Sequence, residues 1–207
     1  VRRPQVKVTP VTLEAGKSWK GTVDLPGTDG TNSLVLEMSD VQPVNLSTRL
    51  SYLLGYPHGC VEQITSKGFR QLYLSEFASL TREQEQSAEA DVKEVIRRLR
   101  SYQTVDGSFS YWPGGTAPNA WGTVYAIHFL LEAEKKGYLV PEGMKRNALN
   151  DLSRIARNWK PEASYSAESE EMTQAYRLFV LALGQVAEVG AMNRLKESKT
   201  LTPMSRY

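Results

Sequence analysis

The chain has 207 residues, 41% of them hydrophobic and 23% charged, with a formal net charge of +2. That is enough apolar material for a real core, while the well-mixed acids and bases exclude the basic stripe that nucleic acid or an anionic membrane surface selects. A single cysteine excludes an intrachain disulfide, one Cys and two His supply no spaced metal-ligand set, no cofactor motif appears, and no apolar run is long enough to span a bilayer.

In chain order, residues 1–44 read as short β-strands. Val6, Val8, Val11 and Leu13 alternate with polar residues, then Trp19, Val23 and Leu25, then Leu34, Leu36 and Met38. Turn signals separate them at residues 14–17 and 26–30. Three short strands bury no core of their own, so the segment is expected to be the antiparallel end of a larger β-sandwich. Pro43 closes the region, and a short helix is expected from Asn45 to Gly55.

The stretch with the most chemistry follows. Tyr56, Pro57, His58 and Gly59 lead into Cys60, with Val61, Glu62 and Gln63 at the start of a helical pattern that runs through Phe77. A helix N-terminus favours the thiolate, and positions i and i+3 share a face, so the Cys60 sulfur and the Gln63 amide carbon can meet. Attack there with loss of ammonia gives an internal thioester. The competing reading is a lone cysteine that packs as a small apolar side chain. A second competitor pairs Cys60 with His128 as a cysteine hydrolase. His128, however, lies mid-helix between Ile127 and Phe129, where a core role suits it better.

Beyond the motif the pattern is helical and of two kinds. Ala88, Val92, Val95, Ile96, Leu99 and Tyr102 form one apolar stripe, and Ala148, Leu149, Leu152, Ile155, Ala156 and Trp159 another. Residues 120–133 and 172–187 are apolar nearly all round, as in helices covered on every side. Alternation of the two kinds predicts an outer ring of helices around an inner ring, a mainly α, α/α toroid over residues 45–207. An internal repeat agrees: Gly107 to Ser110 is answered by Ala163 to Ser166, Tyr125 by Tyr176, Leu130 by Leu181, and His128 by Phe179. About three helical hairpins fit, roughly half a closed ring. Residues 168–171 read as a solvated acidic cap.

Gly59-Cys60-Val61-Glu62-Gln63 is similar to the thioester signature of the alpha-2-macroglobulin and complement family, and the longer run from Gly55 to Ser66 resembles its bacterial branch. Residues 102–112 and 121–123 resemble the loop and inner helix that follow in that family. The resemblance implies a fragment: the end of a macroglobulin or CUB-like β-region plus the N-terminal part of a toroidal, terpenoid-cyclase-like thioester domain. It implies a single-use protease inhibitor rather than an enzyme, in which bait cleavage elsewhere exposes a Cys60–Gln63 thioester. Gly59, Glu62, Tyr56 and Pro57 would support the motif, with His58 and Trp112 nearby. Partners would be proteases, caught through lysine amines, and the other domains of the same protein, in the periplasm or cell envelope. Hydroxyl-preferring complement relatives carry a histidine after the second Gly-Ser-Phe-like loop, whereas here residues 167–171 hold none. An enzyme of the terpene-cyclase-like toroid class is the alternative, since Gln103, Gly107 and Trp112 loosely resemble its Gln-x-x-x-Gly-x-Trp repeats.

Overall fold

The computed structural model describes residues 7, 9, 11–25, 27–28, 30–32, 34, 36, 38, 59–160 and 167–198. Tyr56, Pro57, His58, the expected helix before them, the 163–166 loop and residues 199–207 lie outside the described residues, as do Val6 and Val8. The chain divides into two compact units, Val1–Ser47 and Thr48–Tyr207.

In the first unit the turn signals form turns: Lys17 N donates to Glu14 O at 3.0 Å and Thr31 N to Thr28 O at 2.9 Å. The strands expected around them are not formed among the described residues. A strand needs a neighbour to take its backbone hydrogen bonds, and three short segments lack the apolar area to hold each other. Trp19, Leu34, Leu36 and Met38 stand exposed accordingly.

The second unit is built of six described helices: α1 (Val61–Phe77), α2 (Arg82–Leu99), α3 (Ala120–Lys135), α4 (Glu142–Asn158), α5 (Ala167–Leu183) and α6 (Val189–Lys196). Their ends follow from local chemistry. Thr81 and Gln84 close a capping box on α2, Thr81 N donating to Gln84 Oε1 at 2.9 Å and Gln84 N to Thr81 Oγ1 at 3.3 Å. Asn119 Oδ1 accepts from Gly122 N at 2.7 Å to start α3. Gly137, at φ 88°, ends it, with Tyr138 N donating to Ala133 O.

Packing sorts the helices into two layers. α1, α3 and α5 pack side by side, α1 on α3 and α3 on α5, while α2, α4 and α6 each back onto the helix before them in the chain. The predicted stripes of α2 and α4 are buried at Val92, Val95, Ile96 and Leu99 and at Ala148, Leu149 and Leu152. α3 buries residues on most of its circumference, from Val124 to Ala133. Two close approaches set the α1–α3 distance: a β-carbon on Gly122 would lie 2.3 Å from Val61 Cγ1, and one on Gly68 would lie 2.6 Å from the Phe129 ring.

α5 departs from its expectation at both ends. It begins at Ala167 rather than at residue 172 and stops at Leu183, where Gln185 takes φ 61° and Val186 N returns to Leu181 O. Glu171 therefore falls within the helix, on its inward side, and is 2% exposed instead of a solvated cap. Nor is α5 apolar all round, since Thr173, Gln174 and Arg177 are buried with it. Gln174 Nε2 donates to Ala156 O at 3.1 Å, tying α5 to α4. Burial lowers the Arg177 pKa to about 10.

Candidate functional site

The candidate site is the start of α1 and the loop that covers it. Cys60 is the N-cap of α1, in extended conformation (φ −74°, ψ 157°), and is a free thiol only 3% exposed. Gln63 occupies the third helical position, and the two residues form a reciprocal capping box. Gln63 Oε1 accepts from Cys60 N at 3.4 Å, which folds the amide group back over the cap. Gln63 itself is exposed to solvent, and half-buried Glu62 puts a carboxylate in the first turn, where the helix dipole favours it.

The loop between α2 and α3 is tied down before it reaches the thiol. Tyr102 O accepts from Ser110 N at 2.8 Å and from Ser110 Oγ at 3.0 Å, Thr123 Oγ1 bridges both backbone groups of buried Phe109, and Ser108 Oγ donates to Asp151 at 2.5 Å. Gln103 Nε2 adds bonds to Gly107 O and Met144 O. Gly107 is required at φ 107°, where a β-carbon would strike Asn147 O at 2.4 Å. So held, the loop delivers two tyrosines. The Tyr102 hydroxyl, 1% exposed, donates to Gly59 O, and a side chain on Gly59 would approach it and Arg98 at 3.3 Å. Tyr111 O accepts from Val61 N at 3.0 Å, which sets the Tyr111 backbone beside the thiol. The neighbouring Cys60, through hydrogen bonding first and charge second, holds the Tyr111 pKa above a phenol's ordinary value. Burial raises the Tyr102 pKa, against the pull of Arg98.

Of the residues singled out from sequence, Gly59, Cys60, Glu62 and Gln63 come together here. Trp112 reaches the site through Tyr111, edge-on at 5.3 Å between ring centroids, and is 55% exposed. His128 stands elsewhere. Its Nδ1 pairs with Tyr176 Oη at 2.7 Å and its ring meets Phe69 and Phe179 edge-on. Phe69 lies eight residues beyond Val61, about 12 Å along α1 at 1.5 Å per residue. Burial lowers the His128 pKa. Tyr102 and Tyr111 were not singled out as neighbours of the thiol, although both belong to the 102–112 stretch whose resemblance marked the loop. Among the described residues no group of three or more His, Cys, Asp or Glu could hold a metal ion, and no helix is long and apolar enough to cross a membrane.

The family model of the A-macroglobulin TED domain matches residues 33–175. The chain belongs to this family. As an A-macroglobulin TED segment it is 28% identical over 90% of its length to alpha-2-macroglobulin of Escherichia coli, and 30% identical over 79% to alpha-2-macroglobulin of Xylella fastidiosa strain Temecula1. It spans 12% and 10% of the lengths of those two relatives. Among solved structures it is similar to native E. coli alpha-2-macroglobulin from domain MG7 to the C-terminus, with TM-score 0.66 and 28% identity over 75% of this chain and 26% of that one. It is likewise similar to Salmonella alpha-2-macroglobulin reacted with methylamine, with TM-score 0.65 and 30% identity over 75% of this chain and 11% of that one.

Proposed function

We propose that this chain is the thioester-bearing segment of a bacterial protease-trapping inhibitor, and that Cys60 and Gln63 form the thioester. The observation that carries the reading is the capping box: a buried thiol at the N-cap, with Gln63 Oε1 folded back from the third helical position onto the Cys60 backbone N–H. Formation is a displacement at Gln63 Cδ. The Cys60 thiolate adds, the C–N bond breaks, and ammonia leaves with a proton. Capture is a second acyl transfer at the same carbon: an attacking amine adds to Gln63 Cδ, the C–S bond breaks, and the Cys60 thiol is released with the proton the amine gives up. Each site works once, so this is inhibition and not turnover.

Support also comes from the relatives: the Salmonella protein was solved after reaction with methylamine, and an E. coli alpha-2-macroglobulin structure is of the trypsin-activated protein. On this reading Gly59, Glu62, Tyr56 and Pro57 shape the motif, with His58 and Trp112 beside it. The six helices are part of an α/α toroid completed by further hairpins, and the first unit is the end of a β-region. The protein acts in the periplasm or cell envelope, its partners being proteases and its own other domains. With no histidine in residues 167–171, where hydroxyl-preferring relatives carry one, capture runs by direct aminolysis through protease lysines, because a protonated hydroxyl is a poor nucleophile without a base. The test is intact mass of the full-length protein. It should weigh one ammonia less than its sequence, gain methylamine, and then expose one Cys60 thiol; a sequence mass with Cys60 already titratable overturns the reading. After activation, a labelled amine should be captured in preference to glycerol at equal concentration.

A further inference from the structure

The peptide between Gly59 and Cys60 is gripped at both ends. The Tyr102 hydroxyl donates to Gly59 O, and Cys60 N donates to Gln63 Oε1 at 3.4 Å. A trans peptide is planar, with its carbonyl and N–H pointing opposite ways, so fixing the carbonyl also fixes the aim of the N–H. The peptide on the other side of Cys60 is held as well, since Ile64 N donates to Cys60 O at 3.1 Å and Val61 N to Tyr111 O at 3.0 Å. Tyr102 itself has little freedom: it is 1% exposed, its N–H donates to Leu99 O at 3.0 Å, and its carbonyl takes both Ser110 bonds. Glycine at 59 leaves room for the hydroxyl, because a β-carbon there would press on Tyr102 Oη at 3.3 Å. The one donor so aimed therefore meets the oxygen on which charge develops when Gln63 Cδ is attacked.

We propose that the Cys60 backbone N–H stabilises the oxyanion formed at Gln63 Oε1, and that Tyr102, through Gly59 O, is the positioning residue that aims it. The proposal rests on the thioester reading and adds how the acyl carbon is activated. In thioester formation the Cys60 thiolate adds to Gln63 Cδ and the carbonyl pair moves to Oε1. The pair then returns, the C–N bond breaks, and the nitrogen takes a proton from water and leaves as ammonia. In capture an amine adds to the same carbon and Oε1 again takes the charge. The C–S bond then breaks with its pair on Sγ, and the proton the amine gives up passes through water to the sulfur. Both steps put negative charge on one oxygen, so the residue that supplies the nucleophile also supplies the donor. A bond of 3.4 Å is long at rest and can shorten as charge grows. A contact that is stronger at the transition state than before it raises the rate.

The experiment uses the full-length protein, its Tyr102→Phe variant, which keeps the buried ring and removes only the hydroxyl, and Thr81→Ala. The last weakens the same helical unit through the α2 cap, at the far end of the α1–α2 hairpin from the thiol. Intact mass first reports whether wild type carries the ammonia deficit; if it does not, the thioester reading fails and this inference with it. Where the deficit is present, Tyr102→Phe should slow thiol release by methylamine roughly tenfold, while Thr81→Ala stays at the wild-type rate. The thioester carbonyl band, isolated as the infrared difference between native and methylamine-treated protein, should move to higher wavenumber in Tyr102→Phe alone, because the carbonyl loses a donor. Equal rates in wild type and Tyr102→Phe overturn the proposal, as does a slowed rate with an unmoved band. Equal slowing in Thr81→Ala also overturns it, since the effect then follows stability. Should Tyr102→Phe carry no deficit, peptide mapping at residue 63 decides. Glutamine retained, in a variant no less stable to heat than Thr81→Ala, means that the ring never closed and supports the proposal. Glutamate there means that the ring closed and was lost to water, which makes Tyr102 a cover and overturns it.

Discussion

Tyr111 offers a direct check on whether the thiol is engaged as described. Hydrogen bonding with the neighbouring Cys60 is the leading cause that keeps this phenol protonated above the usual tyrosine range, ahead of its burial and the Glu62 carboxylate. A raised tyrosine pKa means the neutral form is favoured in the fold, so removing the partner must let the value fall. In the 207-residue chain labelled at tyrosine Cζ, Tyr111 should titrate above about 10 and move downward in Cys60→Ala, with the resonance assigned by its loss in Tyr111→Phe. An unchanged midpoint in Cys60→Ala would show that the contact is not made in solution. Gly59 is crowded from the backbone side, because a side chain there would press at 3.3 Å on the Tyr102 hydroxyl and the Arg98 guanidinium. The sequence marks Gly59 as part of a motif; the crowding that favours glycine there emerges only once residue 102 is folded back across 43 positions.

At the level of elements, α1 is placed by what it presses against. Gly122 on α3 touches Val61, the first helical residue after the thiol. Gly122→Ala must either push α1 outward or bend α3, at about 1–3 kcal/mol, and the displacement falls on Cys60. Thermal unfolding should report that loss, and Cys60 alkylation should be faster than in wild type; unchanged values in both would mean the crossing is looser than it looks. His128 ties α3 to α5 through Tyr176, and burial depresses its pKa despite the nearby Glu132 carboxylate. Since the fold disfavours the imidazolium, its contribution is present above the unfolded value of about 6.5 and is lost as pH falls below it. His128→Phe, copying the residue found at the repeat position, should flatten the stability profile below about pH 6.5; an equally steep loss in the variant would place the acid sensitivity elsewhere. The helices and the amphipathic-apolar alternation were legible because apolar spacing at 3.6 residues survives in one dimension. The polar interior of α5 was not, because the burial of Glu171, Gln174 and Arg177 comes from tertiary packing, with Gln174 tied to α4, and nothing in their local spacing says so. The strands of the first unit show the converse, since alternation was present and pairing was absent among the described residues.

For the molecule as a whole, the two halves of the candidate thioester differ in exposure. The sulfur is buried, but Gln63 is open to solvent, and Trp112, the large side chain that stands beside Tyr111, is more than half exposed. A thioester lasts only while water is kept from the acyl carbon, and cover over the sulfur does nothing for Gln63 Cδ. The chain spans only about a tenth of the relatives it matches, leaving ample sequence in such proteins for a covering surface. Expressed alone, the 207-residue chain should therefore have its full sequence mass and a Cys60 thiol that reacts slowly, at a rate set by its burial, while the longer protein carries the ammonia deficit. Mass spectrometry of both, prepared and held in the same buffer, decides it. A deficit that persists in the chain alone would mean that Tyr102, Tyr111 and Trp112 suffice to exclude water, and would transfer the shielding role from the missing domains to the loop after α2.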